Sequence, residues 1–98
     1  MAWMIVWNKD AEEKFDDIVT RLEKEYSAKT AERFVKQVST KINMLKSYPE
    51  IGRPSQKVKE VRLLNVYKHY RMFYRIKNDY VVIIDFFNTK QDPNKSRF

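Results

Sequence analysis

Cysteine is absent from this 98-residue chain, which excludes disulfides, thiolate metal sites and cysteine nucleophiles together. Histidine occurs once, at His69, too few ligands for a structural zinc centre. No metal and no small-molecule cofactor is expected. Glycine also occurs once, at Gly52. Few backbone positions should therefore need positive φ, and regular elements joined by plain turns are expected. No apolar run approaches the ~20 residues of a membrane span. The opening stretch, MAWMIVWNKD, has no basic segment before its apolar residues and no small-residue cleavage site. A cytoplasmic protein without a membrane partner is the expectation.

What is present is a globular composition, 43% hydrophobic and 14% aromatic. The length suits one domain over residues 1–98 with a single modest core. The net charge of +7 is lopsided. Residues 1–49 carry nine Lys/Arg against eight Asp/Glu, whereas residues 50–98 carry eleven against five. A concentrated positive field attracts polyanions or an acidic protein.

The apolar pattern changes period along the chain. Met4 to Trp7 reads as a short strand. Asp10, with Glu13 three residues on, has the pattern of a capping box. Ala11, Phe15, Ile18, Val19, Leu22 and Tyr26 then recur at helical spacing over roughly 15 residues. Ser27 can cap a second helix with the stripe Ala31, Phe34, Val35, Val38, Ile42 and Leu45. So short a joint predicts an antiparallel helix hairpin. The stretch SYPEIGRPSQK (47–57) reads as a loop. From Val61 the period is two, with KND at 77–79 as a hairpin turn. Residues 88–98 are a polar tail. The expected fold is α+β: an N-terminal strand, a two-helix hairpin, then three antiparallel strands, with the helices covering one face of the sheet. Alternation predicts an open second face carrying Arg62, His69, Arg71, Arg75 and Asp85.

Pro49 and Gly52, then Arg62, then YRMFYRI (70–76), then QDP (91–93) resemble, in combination, the RelE/ParE superfamily of bacterial toxins. The resemblance covers about Ala11 to Pro93. It implies the toxin of a type II toxin–antitoxin system, with a cognate antitoxin protein as partner. It also implies one of two targets. RelE-like members cleave messenger RNA on the ribosome; ParE-like members inhibit DNA gyrase and carry no nuclease residues. Ribosome-dependent mRNA cleavage is the first expectation, gyrase inhibition the alternative, and a basic nucleic-acid-binding or inactive relative the third.

Metal-free RNA cleavage needs a group to activate the 2′-hydroxyl, a cation for the developing phosphorane charge, and an acid for the leaving oxygen. The resemblance places Arg71 at the superfamily's strand arginine, where a guanidinium suits bidentate phosphate contact. Arg62 on the preceding strand is expected to reach the same phosphate. Lys57 and Lys59 fall where some nuclease members carry basic catalytic residues, and Arg75 and Lys90 complete the expected phosphate-binding set. His69, about 6.5–7 Å from Arg71 along a strand, is the candidate for proton transfer, with Glu50 and Glu60 as weaker bases. Many members carry histidine or tyrosine at the end of the last strand. Here Asn88 stands there, followed by Thr89 and Lys90, and asparagine can orient groups but cannot act as acid or base.

Overall fold

The structure, a computed structural model, describes residues 2–98. Strand β1 (Met4–Trp7) leads into helix α1 (Lys9–Glu25), which starts two residues earlier than the Asp10 pattern suggests. The cap is Asn8, whose side-chain oxygen accepts the Ala11 amide at 2.8 Å, and Asp10 lies inside the first turn. Helix α2 (Ala28–Ser47) is capped as expected: the Ser27 hydroxyl accepts the Thr30 amide at 3.1 Å. A carboxamide or hydroxyl oxygen at these positions satisfies amides that the first helical turn leaves unpaired.

Five strands form one sheet in the order β1-β5-β4-β3-β2. The three long strands β3 (Val61–Tyr67), β4 (Tyr70–Lys77) and β5 (Tyr80–Asn88) are joined by hairpins at Lys68–His69 and Asn78–Asp79. β1 lies parallel to β5, as a strand returning through a helical crossover can. The period-two reading missed β2 (Arg53–Pro54), which pairs antiparallel with β3 inside the expected loop. Proline gives no ladder donor, and this strand sits at the sheet edge where none is required.

The helices cover one face. Phe34, Val38 and Leu45 of α2 and Ala11, Ile18 and Leu22 of α1 pack on Met72, Tyr74, Val81, Ile83 and Phe86. Trp7, Phe15, Phe34 and Phe86 form an aromatic cluster within it, with Trp7 and Phe15 edge to face at 5.3 Å. Alternation along β5 breaks at one irregularity. The β4–β5 register shifts between Phe73 and Tyr74, so Ile84 is extra on β5 and Phe86, rather than Asp85, follows Ile83 onto the helix face. A bulge of this kind reverses the faces beyond it.

The second face is not open. Val61, Leu63, Phe73, Ile84 and Phe87 form a smaller apolar cluster there, covered in part by Val58, Val82 and Phe98. Asp85, also assigned to an exposed face, is buried; it accepts from its neighbour's amide, Phe86 N–H, and faces Lys14 and Arg97 at 3.6 and 3.7 Å.

One side-chain latch fixes the helix-to-sheet crossing. The buried Gly52 N–H donates to the Tyr74 hydroxyl at 2.8 Å, and that hydroxyl donates to the Pro49 carbonyl at 2.7 Å. The single glycine serves closeness rather than positive φ. A Cβ at Gly52 would lie 2.5 Å from the Tyr74 oxygen and 2.8 Å from the Leu63 carbonyl. Positive φ falls instead on Glu60, Lys68 and Asn78, two of them in the hairpins. Tyr74→Phe leaves the Gly52 amide without its acceptor, so it should destabilise by about 1–3 kcal/mol in urea unfolding.

Burial, as the main cause, raises the phenol pKa of both Tyr70 and Tyr74. Below about pH 10 both are protonated in folded and unfolded chains alike, and their contribution is complete. Above it the unfolded phenols ionise first; the unfolded state then holds fewer protons, and stability falls as pH rises. Urea midpoints should drop across this alkaline range, and less steeply in Tyr74→Phe.

Candidate functional site

Where the tail crosses the second face, it leaves a concave pocket of about 380 Å3. Its sheet side is Arg71, Leu63 and Phe87, its edge side Arg53, Pro54, Gln56 and Lys57, and its tail side Thr89, Pro93, Ser96 and Phe98. The register explains the meeting of the two arginines. Arg53 pairs with Leu63, Leu63 pairs with Phe73, and Arg71 lies two residues from Phe73 on the same face of β4. Burial, and after it the neighbouring Arg53 charge, hold the Arg71 guanidinium below the usual arginine pKa. It remains a cation at neutral pH. Its Nε is buried and has no hydrogen-bond partner among the described residues. A buried donor left unpaired costs about 1–3 kcal/mol.

The tail is tied down chiefly by its backbone. Lys57 Nζ donates to the carbonyls of Pro93 and Ser96, both at 2.8 Å. The Ser55 hydroxyl donates to the Phe98 carbonyl. The Phe98 ring packs on Phe73 at 5.6 Å, and Arg97 reaches Asp85. Pro93–Lys95 form a short 3-10 turn capped by Asp92, so the polar tail is ordered against the sheet.

Of the expected site residues, the pocket gathers Arg71 and Lys57. The others lie elsewhere. Arg62 is on the helix side, paired with Tyr74, and donates to the carbonyls of Glu50 and Gly52 at 3.2 and 2.7 Å. It braces the Pro49–Gly52 crossing, because alternation from Val61 sends it to the face opposite Arg71. His69 is exposed in the two-residue hairpin before β4, so it does not share a strand face with Arg71; its carbonyl accepts from the amide and hydroxyl of Thr89. Asn88 ends β5 on the helix side, where its side chain contacts Tyr70 and accepts the Lys90 amide at 2.9 Å. Lys59 and Lys90 are exposed outside the pocket. Arg75 shares the face of Arg71 but stands between Val61 and Val82, and its Nε is likewise buried without a partner among the described residues. Glu50 and Glu60 are exposed and do not line the pocket. Among the described residues no cluster of three or more His, Asp or Glu could hold a metal, and no helix is long and apolar enough to cross a membrane.

Arg53 was the missed residue. It sits one place before Pro54 in a stretch that reads as loop, and only the two-residue strand turns it toward Arg71. A basic residue beside an edge proline was the signal available, and it is weak.

A family model described as the ParE toxin of type II toxin–antitoxin system, parDE, matches residues 5–93. The chain belongs to this family of toxins. Among solved structures it is similar to the chromosomal ParDE toxin–antitoxin system from P. aeruginosa, at 20% identity and a TM-score of 0.74, covering 87% of this chain and 94% of that one. It is similar also to a YoeB/ParE toxin from Agrobacterium tumefaciens (15% identity, TM-score 0.64, 84% and 93% covered). The RelBE2 toxin–antitoxin complex from Mycobacterium tuberculosis gives 17% identity and a TM-score of 0.63, with 88% and 96% covered. At these identities the likeness carries the fold. No curated protein sequence matches the chain.

Phe98 is the tail's one apolar anchor on the Phe73 cluster. Phe98→Ala should cost about 1 kcal/mol, below the range for a fully buried ring because Phe98 is only half-buried. Trypsin should then cut faster after Lys95 and Arg97, as followed by mass spectrometry.

Proposed function

We propose that this ParE-family toxin stops growth by binding DNA gyrase without chemistry, and that a cognate antitoxin protein restrains it. The observation that carries the reading is the make-up of the Arg71 pocket. It holds cations, an amide, hydroxyls and apolar groups, and no His, Asp, Glu or Tyr among the described residues. Metal-free RNA cleavage needs positioned groups that take and give protons, and geometry comes before pKa in choosing them. His69 and Asn88 are directed elsewhere, and Lys57 is committed to two tail carbonyls. The match to the ParE model points the same way, although fold alone does not fix a target.

Ribosome-dependent mRNA cleavage is the second reading. It is favoured by the guanidinium pair, since Arg53 and Arg71 suit an RNA phosphate as well as any other. It lacks the partners that would move protons.

The antitoxin partner is inferred from the family and from neighbours solved as toxin–antitoxin assemblies. A shallow groove on the helix hairpin, with Val19, Ala31 and Val35 on its floor, offers apolar surface for such a partner. The 98 residues would act as a single cytoplasmic domain.

Induced expression should arrest growth, and co-expression of the adjacent gene should restore it. Pulse labelling should show DNA synthesis falling before translation. Translation falling first, with messages cut, would favour the second reading instead. Arg71→Ala should still fold, because its side chain lines the pocket and belongs to neither apolar cluster of the core.

A further inference from the structure

Beyond Asn88 the chain makes no strand pairing. Thr89 is pinned, its amide and hydroxyl both donating to the His69 carbonyl. After it, the backbone hydrogen bonds found among the described residues close within the segment itself: Gln91 to Asn88, Lys95 to Asp92 and Ser96 to Pro93. Residues 90–95 are exposed. The segment is a self-bonded arm on a solvent-facing joint, and swinging it away breaks no backbone ladder.

Side chains hold the arm down at two flanks. On one, Lys57 and Ser55 donate to the carbonyls of Pro93, Ser96 and Phe98. On the other, Arg97 faces Asp85 at 3.7 Å and Asp10 at 3.9 Å, in a hollow also lined by Glu13 and Asp17. Asp85 is buried, but Arg97 and Asp10 are exposed, and exposed ion pairs are weak and screened by salt. Between the flanks the half-buried Phe98 ring rests on Phe73. A segment held by so few apolar contacts opens locally long before the domain unfolds. What it covers gives that opening a consequence. Pro93, Ser96 and Phe98 wall the Arg71 pocket, and the Lys57 ammonium is bound to the arm.

We propose that residues 90–98 are an autoinhibitory strap: docked, they keep the toxin's target off the Arg71 face, and the toxin acts from the open form. This rests on the reading above only in taking that face as the working one, and it holds whether the target is gyrase or the ribosome. The ties all favour docking, so the open form is the minor one. A target that engages only the open chain binds with an apparent affinity reduced by the open fraction. At an open fraction of about 1–10%, removing the ties raises potency roughly 10- to 100-fold. A tail that belonged to the target-binding surface would give a loss instead.

The test compares whole chains at matched soluble levels in a host without the antitoxin. Arg97→Gln and Phe98→Ala should each speed hydrogen exchange at residues 93–98 and arrest growth at a level about tenfold lower than wild type. Lys95→Gln removes a tail charge that makes none of the ties, and it should match wild type in both. Adding Arg71→Ala should abolish the gain. Arrest that is equal or weaker in a variant whose tail exchanges fast would overturn the strap, and so would a gain that survives Arg71→Ala. A tether supplies the converse. The chain has no cysteine, so Gln56→Cys with Ser96→Cys, both lining the pocket, offers one pair for a cleavable bismaleimide. In supercoiling and translation assays run side by side, the tethered chain should lose about tenfold or more and regain it on cleavage. The same variant capped with two separate maleimides should stay active. Full activity in the tethered chain would overturn the strap. Wild-type chain that acts in neither assay would fail the target reading alone, and growth arrest in Arg97→Gln and Phe98→Ala would still decide the strap.

Discussion

A sheet has two faces, and this chain supplies helices for one. That constraint organises the molecule. The central strand β4 sends Met72 and Tyr74 to the helices and Arg71, Phe73 and Arg75 to the other side. Phe73 and its neighbours Leu63, Ile84 and Phe87 are too apolar to leave in water, and burying a side chain of that size is worth about 1.5–3 kcal/mol. Val58, ahead of β3, and the tail lie over them. Phe98 does so in part, and the ties at Lys57 and Ser55 hold it there. The pocket is the space that this incomplete cover leaves around Arg71. The pocket exists because the second core is small and its cover is short.

The Tyr74 latch sets the other boundary. Gly52 must come against the phenol for β2 to reach β3, and β2 is what carries Arg53 into the pocket. Arg62, on the helix side, supports the same crossing through two carbonyls. A residue read as a phosphate ligand is thus a brace for the loop that delivers another arginine. Stability and site placement meet in a handful of hydrogen bonds between residues 49 and 74.

Much of the fold was legible because periodicity and capping act locally. The α2 stripe from Ala31 to Leu45 and the Ser27 cap appear where the pattern puts them. The β4 alternation from Tyr70 to Ile76 holds as well. The misses are non-local. A one-residue bulge at Ile84 depends on pairing with β4 and leaves no mark in the β5 sequence, yet it reverses Asp85 and Phe86. The two residues of β2 are too few to show a period. Burial of the second face was hidden because its cover is a polar tail whose one apolar contact is its last residue. In the candidate site, the strand position of Arg71 was legible from the alternation of β4. Arg53 was not, since its partner lies on another strand, and His69 was misplaced by counting a hairpin turn as strand.

The central claim is that the face around Arg71 binds and does not cut. One purified preparation of the chain, divided between two assays, tests it directly. One portion is added to gyrase with relaxed plasmid, the other to ribosomes carrying a defined message whose ends are mapped afterwards. The account predicts blocked supercoiling and an intact message. A message cut on the ribosome, with supercoiling unaffected, would contradict it.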